Sequence, residues 1–245
     1  MKKFITELTF NARRPEAAGV LVSEMLRDYK IVRTRMEGCK DHDHLDSAYL
    51  MMANCIGPMV GMEENLTTGD KNGELLTEIR TDPDHPKSYR HATVAQPLHT
   101  DGAYEANAPD VSFFYCKRKA EYGGATIFVD SRDLFDMACA ENMKMACELT
   151  HEKVTFEKGS DSKTRTIVSS QNFLMTWNYH RVKTQTALTE WFHQFLEDKV
   201  VKGGVCRPVL LEEGEAVFFR DEELLHGRYG YIGKRFLVKG GVRHK

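Results

Sequence analysis

Behind Pro15 the apolar residues Val22, Met25, Leu26 and Tyr29 return at helical spacing, and a proline is tolerated in the first turn of a helix because its missing N–H would be unpaired there anyway. A β-type stretch at 31–35 follows this helix. Two further apolar runs, 111–116 (Val-Ser-Phe-Phe-Tyr-Cys) and 123–130 (Gly-Gly-Ala-Thr-Ile-Phe-Val-Asp), are short and bounded by polar turns, as strands buried on both faces are. Asp130-Ser131 is a helix start signal and predicts a helix over 132–149. Residues 187–196 predict another, with Leu188, Trp191, Phe192, Phe195 and Leu196 on one core-facing stripe. Glu212-Glu213-Gly214 turns into a strand at 216–219 that ends at Arg220-Asp221, and a last strand, 235–239, sets Arg235, Leu237 and Lys239 on one face and Phe236 and Val238 on the other. The stretch within 57–90 differs: Gly, Asn, Asp, Thr and Pro dominate it, broken by one strand at 75–80, which predicts a mobile loop around an active-site mouth. No internal repeat or low-complexity tract interrupts the chain.

Composition narrows the class. A chain of 245 residues can bury one large core, so a single domain over 1–245 is expected. The 34 basic and 36 acidic residues leave a net charge of −2 without a long run of either sign, which argues against nucleic acid or a membrane surface and for a small-molecule partner. Glu7 falls where a secretory signal needs an unbroken apolar core, and no stretch approaches eighteen apolar residues, so a soluble, cytoplasmic protein is expected. The six cysteines (Cys39, Cys55, Cys116, Cys139, Cys147, Cys206) form no Cys-x-x-Cys pair and read as reduced core thiols.

The chemistry concentrates in two places. In Leu98-His99-Thr100-Asp101-Gly102, residues i and i+2 at a strand end point the same way, so His99 and Asp101 can grip one ion while Thr100 faces elsewhere. Far downstream comes Leu225-His226-Gly227-Arg228. Two imidazoles and one carboxylate on one face of a metal leave three coordination positions open, the arrangement of non-haem Fe(II) oxygenases. A His-x-Asp triplet alone is weak evidence, and a lone loop histidine is ordinarily just hydrogen-bonded; the surrounding segments carry the case.

Those segments, "LHTDGAYE", "GGATIFVDS" and "EEGEAVFFRDEELLHGRYGYIGKRFL", occur in the order found in the taurine/α-ketoglutarate dioxygenase family, which includes clavaminate-synthase-like enzymes, and the chain resembles that family from about Gln96 to Arg243. The resemblance implies a mainly β fold with flanking helices around a double-stranded β-helix (jelly roll, cupin-like) core. It implies Fe(II) held by His99, Asp101 and His226, with 2-oxoglutarate and O2 as cosubstrates. It makes Thr126 of the "GG-x-T" segment a partner of the distal carboxylate of 2-oxoglutarate, and Arg235 the guanidinium that pairs two-pronged with it. The interval from His226 to Arg235 is slightly short for the family, which leaves Arg228 as the alternative. A carboxylate at position 101 argues against halogenation, for which family members carry a small residue there.

Where some members place a second arginine for the anionic group of the prime substrate, this chain has Lys239, with Arg243 as a substitute. That suggests an anionic or zwitterionic substrate. Arg80, Tyr104, Glu105, Trp177 and Asn178 are further pocket candidates; Glu78 and Arg80 share a strand face and read equally well as amino-acid recognition or as a solvated ion pair. The expected reaction is hydroxylation of an unactivated C–H of a small polar metabolite such as a free amino acid, releasing succinate and CO2. Desaturation, epoxidation or cyclisation with the same cofactors, a zinc hydrolase on the same ligands, and a non-catalytic metabolite-binding barrel stay open.

Overall fold

The apolar runs pair into two facing sheets. The computed structural model describes residues 2–38, 42–85 and 88–244. The strands are β1 (Lys3–Asn11), β2 (Tyr29–Glu37), β3 (Met59–Val60), β4 (Leu76–Arg80), β5 (Gln96–His99), β6 (Val111–Arg118), β7 (Tyr122–Gly123) and β8 (Thr126–Asp130). They continue as β9 (Lys153–Lys158), β10 (Asp161–Thr166), β11 (Arg207–Val209), β12 (Glu215–Arg220), β13 (Leu224–Arg228), β14 (Tyr231–Ile232) and β15 (Phe236–Val242). The helices are α1 (Pro15–Asp28), α2 (His42–Ile56), α3 (Ser131–Glu148) and α4 (Ala187–Phe195).

The larger sheet runs β1-β2-β12-β6-β15-β3, with β4 also paired to β15; the smaller runs β11-β8-β13-β5. This is the expected mainly β, jelly-roll core with flanking helices. Alternation along each strand sorts side chains into three cores. Val217 and Phe219 of β12, Phe114 and Cys116 of β6, Phe128 of β8, Leu224 of β13 and Leu237 of β15 fill the space between the sheets. On the outer face of the larger sheet, Ala216 and Phe218 of β12 and Phe113 and Tyr115 of β6 meet α1 and α2. Ile127, Val129 and Leu225 of the smaller sheet pack with Leu134 of α3 and Leu188, Phe192 and Phe195 of α4. Because both faces of β6, β8 and β12 are covered, these strands read as unbroken apolar runs.

Several boundaries differ from the sequence expectation. Tyr29 does not continue α1; it opens β2, which lies parallel to β1 with α1 as the crossover. The β1 strand is not among the expected elements; its Phe4, Thr6, Leu8 and Phe10 form the covered face in alternation with exposed residues. The predicted second helix is α3, capped by the Asp130 side chain accepting from the Arg132 N–H, and kinked at Asn142. A π-helical turn, Leu196–Val201, prolongs α4 and takes Leu196 and Val200 into the core. Cys116 and Cys206 are buried free thiols, but Cys147 is exposed; Cys39 lies outside the described residues. No helix among the described residues is long and apolar enough to cross a membrane.

Candidate active site

The inner faces of β5 and β13 meet at one point. His99 ends β5, and His226 sits opposite it in the antiparallel register, their ring centroids 4.3 Å apart. Asp101 follows one turn later, with Oδ1 3.9 Å from His99 Nε2 and Oδ2 3.8 Å from His226 Nε2. One ligand atom from each of the three lies within 4.8 Å of the others, the spacing a metal ion bridges. Two glycines permit this geometry. A Cβ on Gly227 would stand 2.7 Å from the Gln96 carbonyl oxygen, so only glycine lets β13 press against β5 beside His226. Gly102, at φ +63°, turns the chain directly after Asp101.

The ligands are oriented by their neighbours. The His99 Nδ1–H donates to the Pro97 carbonyl at 2.9 Å, which leaves Nε2 as the lone pair aimed at the metal position; Gln96 Nε2 donates to that atom at 3.3 Å. Thr100 accepts from the Trp177 N–H and its own N–H donates to the Trp177 carbonyl, clamping the His-x-Asp turn from behind. Asp221, fully buried, accepts the Asp101 N–H through Oδ2 at 2.8 Å and presents Oδ1 3.4 Å from His226 Nδ1. Among the described residues neither that oxygen nor that nitrogen has a hydrogen-bond partner, and each is the nearest candidate to orient the other. Ser112 Oγ donates to Asp101 Oδ2 at 2.9 Å. Burial pushes the pKa of both imidazoles down, which keeps them neutral and able to ligate. At Asp101 burial acts in the opposite sense, but the charge and hydrogen bond of the Lys239 ammonium work against it and the carboxyl stays below its usual range. Burial and the Asp101 charge raise Asp221 well above the normal carboxyl range.

His99 and Asp101 border a cavity of about 930 Å³. Tyr104 and Glu105 belong to its wall: the Tyr104 hydroxyl donates to Glu64, which is also paired with Lys158, and Glu105 accepts from Lys71 at 2.6 Å. The stretch expected to surround the mouth supplies Met62, residues 64–69, Asp84, His85 and residues 88–90; positions 86 and 87 lie outside the described residues. Lys239 reaches the cavity as well, its Nζ 2.5 Å from Asp101 Oδ1. Thr77 is a lining residue the sequence did not flag: it stands across from Lys239 in the β4–β15 register, and its hydroxyl is buried without a hydrogen-bond partner.

Three candidates are elsewhere. Arg80 and Glu78 occupy the solvent face of β4, paired with each other at 2.9 Å, because strand alternation gives the cavity face to Thr77 and Ile79. Trp177 is fully buried against Phe156 and Phe192, and its neighbour Asn178 is the one that lines the cavity. Arg243 is exposed beyond β15.

Arg235 and Thr126 meet in a second, narrow slot between the sheets, with Cys116, Gly124, Leu211 and Leu237. The Arg235 side chain is buried, and among the described residues no carboxylate pairs with it; burial, with Arg228 nearby, brings its pKa down to about 10. Arg228 is placed differently. Its Nη2 donates to the carbonyls of Tyr89, Ala92 and Val94, at 3.2, 2.7 and 2.7 Å, tying the cavity rim to β13. Both guanidinium groups flank the Tyr231 ring, 5.0 and 5.6 Å from its centroid.

Known proteins share this fold. No curated protein sequence matches the chain. Among solved structures, asparagine oxygenase in complex with Fe(II), 2S,3S-3-hydroxyasparagine and succinate superposes with a TM-score of 0.73 at 12% identity, over 97% of this chain and 93% of that one. The non-heme iron oxygenase OrfP with Fe and alpha-ketoglutaric acid gives 0.66 at 15% identity over 96% and 82%, and PvcB from Pseudomonas aeruginosa 0.66 at 14% over 99% and 87%. At such identities the likeness is one of fold. The family itself is shown by sequence: the profile described as "Taurine catabolism dioxygenase TauD, TfdA family" matches residues 21–189, a span that includes His99, Asp101 and Thr126, and the chain therefore belongs to that family of iron- and 2-oxoglutarate-dependent dioxygenases.

Proposed function

We propose that this dioxygenase hydroxylates an unactivated C–H of a free amino acid or a similarly small zwitterionic metabolite, with His99, Asp101 and His226 as the iron ligands. The observation that carries this reading is the convergence of three ligand atoms, two of them from the cavity-lining His99 and Asp101, with a cationic side chain, Lys239, and the Thr77 hydroxyl, unpaired among the described residues, in the same cavity. An amino-acid carboxylate suits those two donors. The product complexes of asparagine oxygenase and OrfP, with 3-hydroxyasparagine and (3S)-hydroxy-L-Arg, support an amino acid as the class.

In this reading Arg235 and Thr126 hold the distal carboxylate of 2-oxoglutarate. Among the described residues the buried guanidinium has no counter-ion, whereas Arg228 is committed to three carbonyls, which favours Arg235 over Arg228. A hydrolase on the same ligands would leave Arg235 and Thr126 without a task. Bound iron and 2-oxoglutarate supply the oxidising power: the substrate C–H becomes C–OH, O2 is consumed, and 2-oxoglutarate leaves as succinate and CO2. The chain's own side chains provide orientation and dryness. Asp221 steers His226, the Pro97 carbonyl fixes the His99 tautomer, and Phe114, Phe128 and Phe219 surround the His226 ring and exclude water from that side. The rim residues at 62–69, 84–85 and 88–90 act as the lid in this account.

The test is anaerobic titration with Fe(II) and 2-oxoglutarate, following the visible charge-transfer band of the chelate, then a screen of amino acids for one that shifts it. The expected result is a band lost in His99→Ala and Asp101→Ala together with succinate formation. Bound iron without a band would overturn the site assignment, and a band that no amino acid shifts would overturn the substrate class.

A further inference from the structure

Asp101 already carries a cation. The Lys239 ammonium donates to Oδ1, the oxygen nearer His99, at 2.5 Å, while Ser112 donates to Oδ2. A carboxylate this deeply buried needs an opposite charge, and the Lys239 ammonium is a cation in direct contact with it. The ammonium is therefore the charge that makes the metal-free centre tolerable. A divalent ion coordinated by Asp101 takes over that role and places a second cation against Lys239, where at a few ångströms inside protein like charges repel strongly. The side chain has somewhere to go. It borders the large cavity, and the Thr77 hydroxyl directly across the β4–β15 pair is buried and unpartnered.

We propose that Lys239 is a built-in stand-in for the metal, holding Asp101 in the metal-free protein, and that metal binding displaces its ammonium from Asp101 into the cavity on the side of Thr77. The inference rests on the assignment of His99, Asp101 and His226 as the metal ligands. Its consequence is an order of assembly: the positive charge offered to a substrate's anionic group becomes free only after the metal has arrived. An arginine, with its planar fork, could span Asp101 and a substrate at once; a lysine is a single point donor and must leave one for the other.

Co(II) alone, without cosubstrate, serves as the probe in calorimetric titration and thermal melts of the full chain. Lys239→Met is expected to bind Co(II) about ten-fold or more tightly than the wild type, because no ammonium has to be displaced. Its metal-free form should melt several degrees lower, and the difference should close at saturating Co(II). Lys239→Arg keeps the charge, guards against a simple loss of folding, and should stay near the wild type in the metal-free melt. Unchanged or weaker Co(II) binding by Lys239→Met, or a melting deficit of equal size with and without Co(II), would overturn the proposal. Co(II) binding that survives His226→Ala would instead overturn the ligand assignment, and this proposal with it.

Discussion

Asp221 shows how a single side chain governs a centre it does not ligate. It takes the Asp101 N–H on one oxygen, which fixes the path of the His-x-Asp turn, and places the other 3.4 Å from His226 Nδ1, where it can orient that ring. Asp221→Asn should weaken metal binding about 10- to 100-fold with little change in overall structure, as losses of such oriented partners do; a Co(II) titration matching the wild type would refute the role. Arg235→Met should raise the KM for 2-oxoglutarate far more than it lowers kcat at saturation, since in the proposed reading the guanidinium binds the end of the cosubstrate remote from the chemistry. Steady-state kinetics of succinate release decide it, and an unchanged KM returns the assignment to Arg228. His99, Asp101 and His226 were readable from residue type and motif, but Asp221 was not, because an aspartate in Arg-Asp-Glu-Glu looks like any turn. Trp177 misled for the opposite reason: an aromatic beside Asn178 resembles a pocket residue, and only burial reveals it as the clamp behind Thr100.

At the level of elements, the site is a matter of register. His226 and His99 face each other because β13 pairs with β5 across an irregularity at Gly227, where the two backbones approach too closely for any side chain. Gly227→Ala is expected to push β13 away from β5, costing at least ten-fold in Co(II) affinity together with a lower melting temperature, in line with the cost of a forced backbone shift. A variant with native Co(II) affinity would show the contact to be soft. The face shared by Arg235, Leu237 and Lys239 follows from alternation and was legible in advance, yet the two cations serve different spaces: Arg235 opens to the slot with Thr126 and Lys239 to the large cavity. The same alternation, with β4 docked on β15, turned Thr77 inward and Arg80 outward. A sequence shows that two faces exist; the partner strand chooses which one is covered.

Over the whole molecule, three cores are wrapped around one polar centre, and the centre taxes the fold. Below about pH 6.5 an unfolded chain protonates its histidines, while the native state holds His99 and His226 neutral by burial. The unfolded state then binds more protons, so the metal-free protein should lose stability as pH falls from about 6.5 toward the depressed values. The raised pKa of Asp221 acts in the opposite sense, so the test is a difference: His226→Gln should flatten the acid side of the melting-temperature profile, and parallel profiles would exclude the linkage. Metal reverses the tax. Co(II) at about 100 times its dissociation constant should stabilise the native state by about 2.7 kcal/mol. That is a rise of several degrees for a chain of this size, absent in Asp101→Ala.

The chain's own pattern was enough to establish the apolar strands, the helix starts at Pro15 and Asp130, the His-x-Asp pair, and the family to which they belong, because each is a local regularity of spacing or motif. It could not show that Lys239 would rest on Asp101, that Arg228 would be spent on three carbonyls, or that Thr77 would face the cavity in place of Arg80. Those outcomes depend on strands far apart in sequence meeting in one register, and on the burial and charge that such a meeting creates.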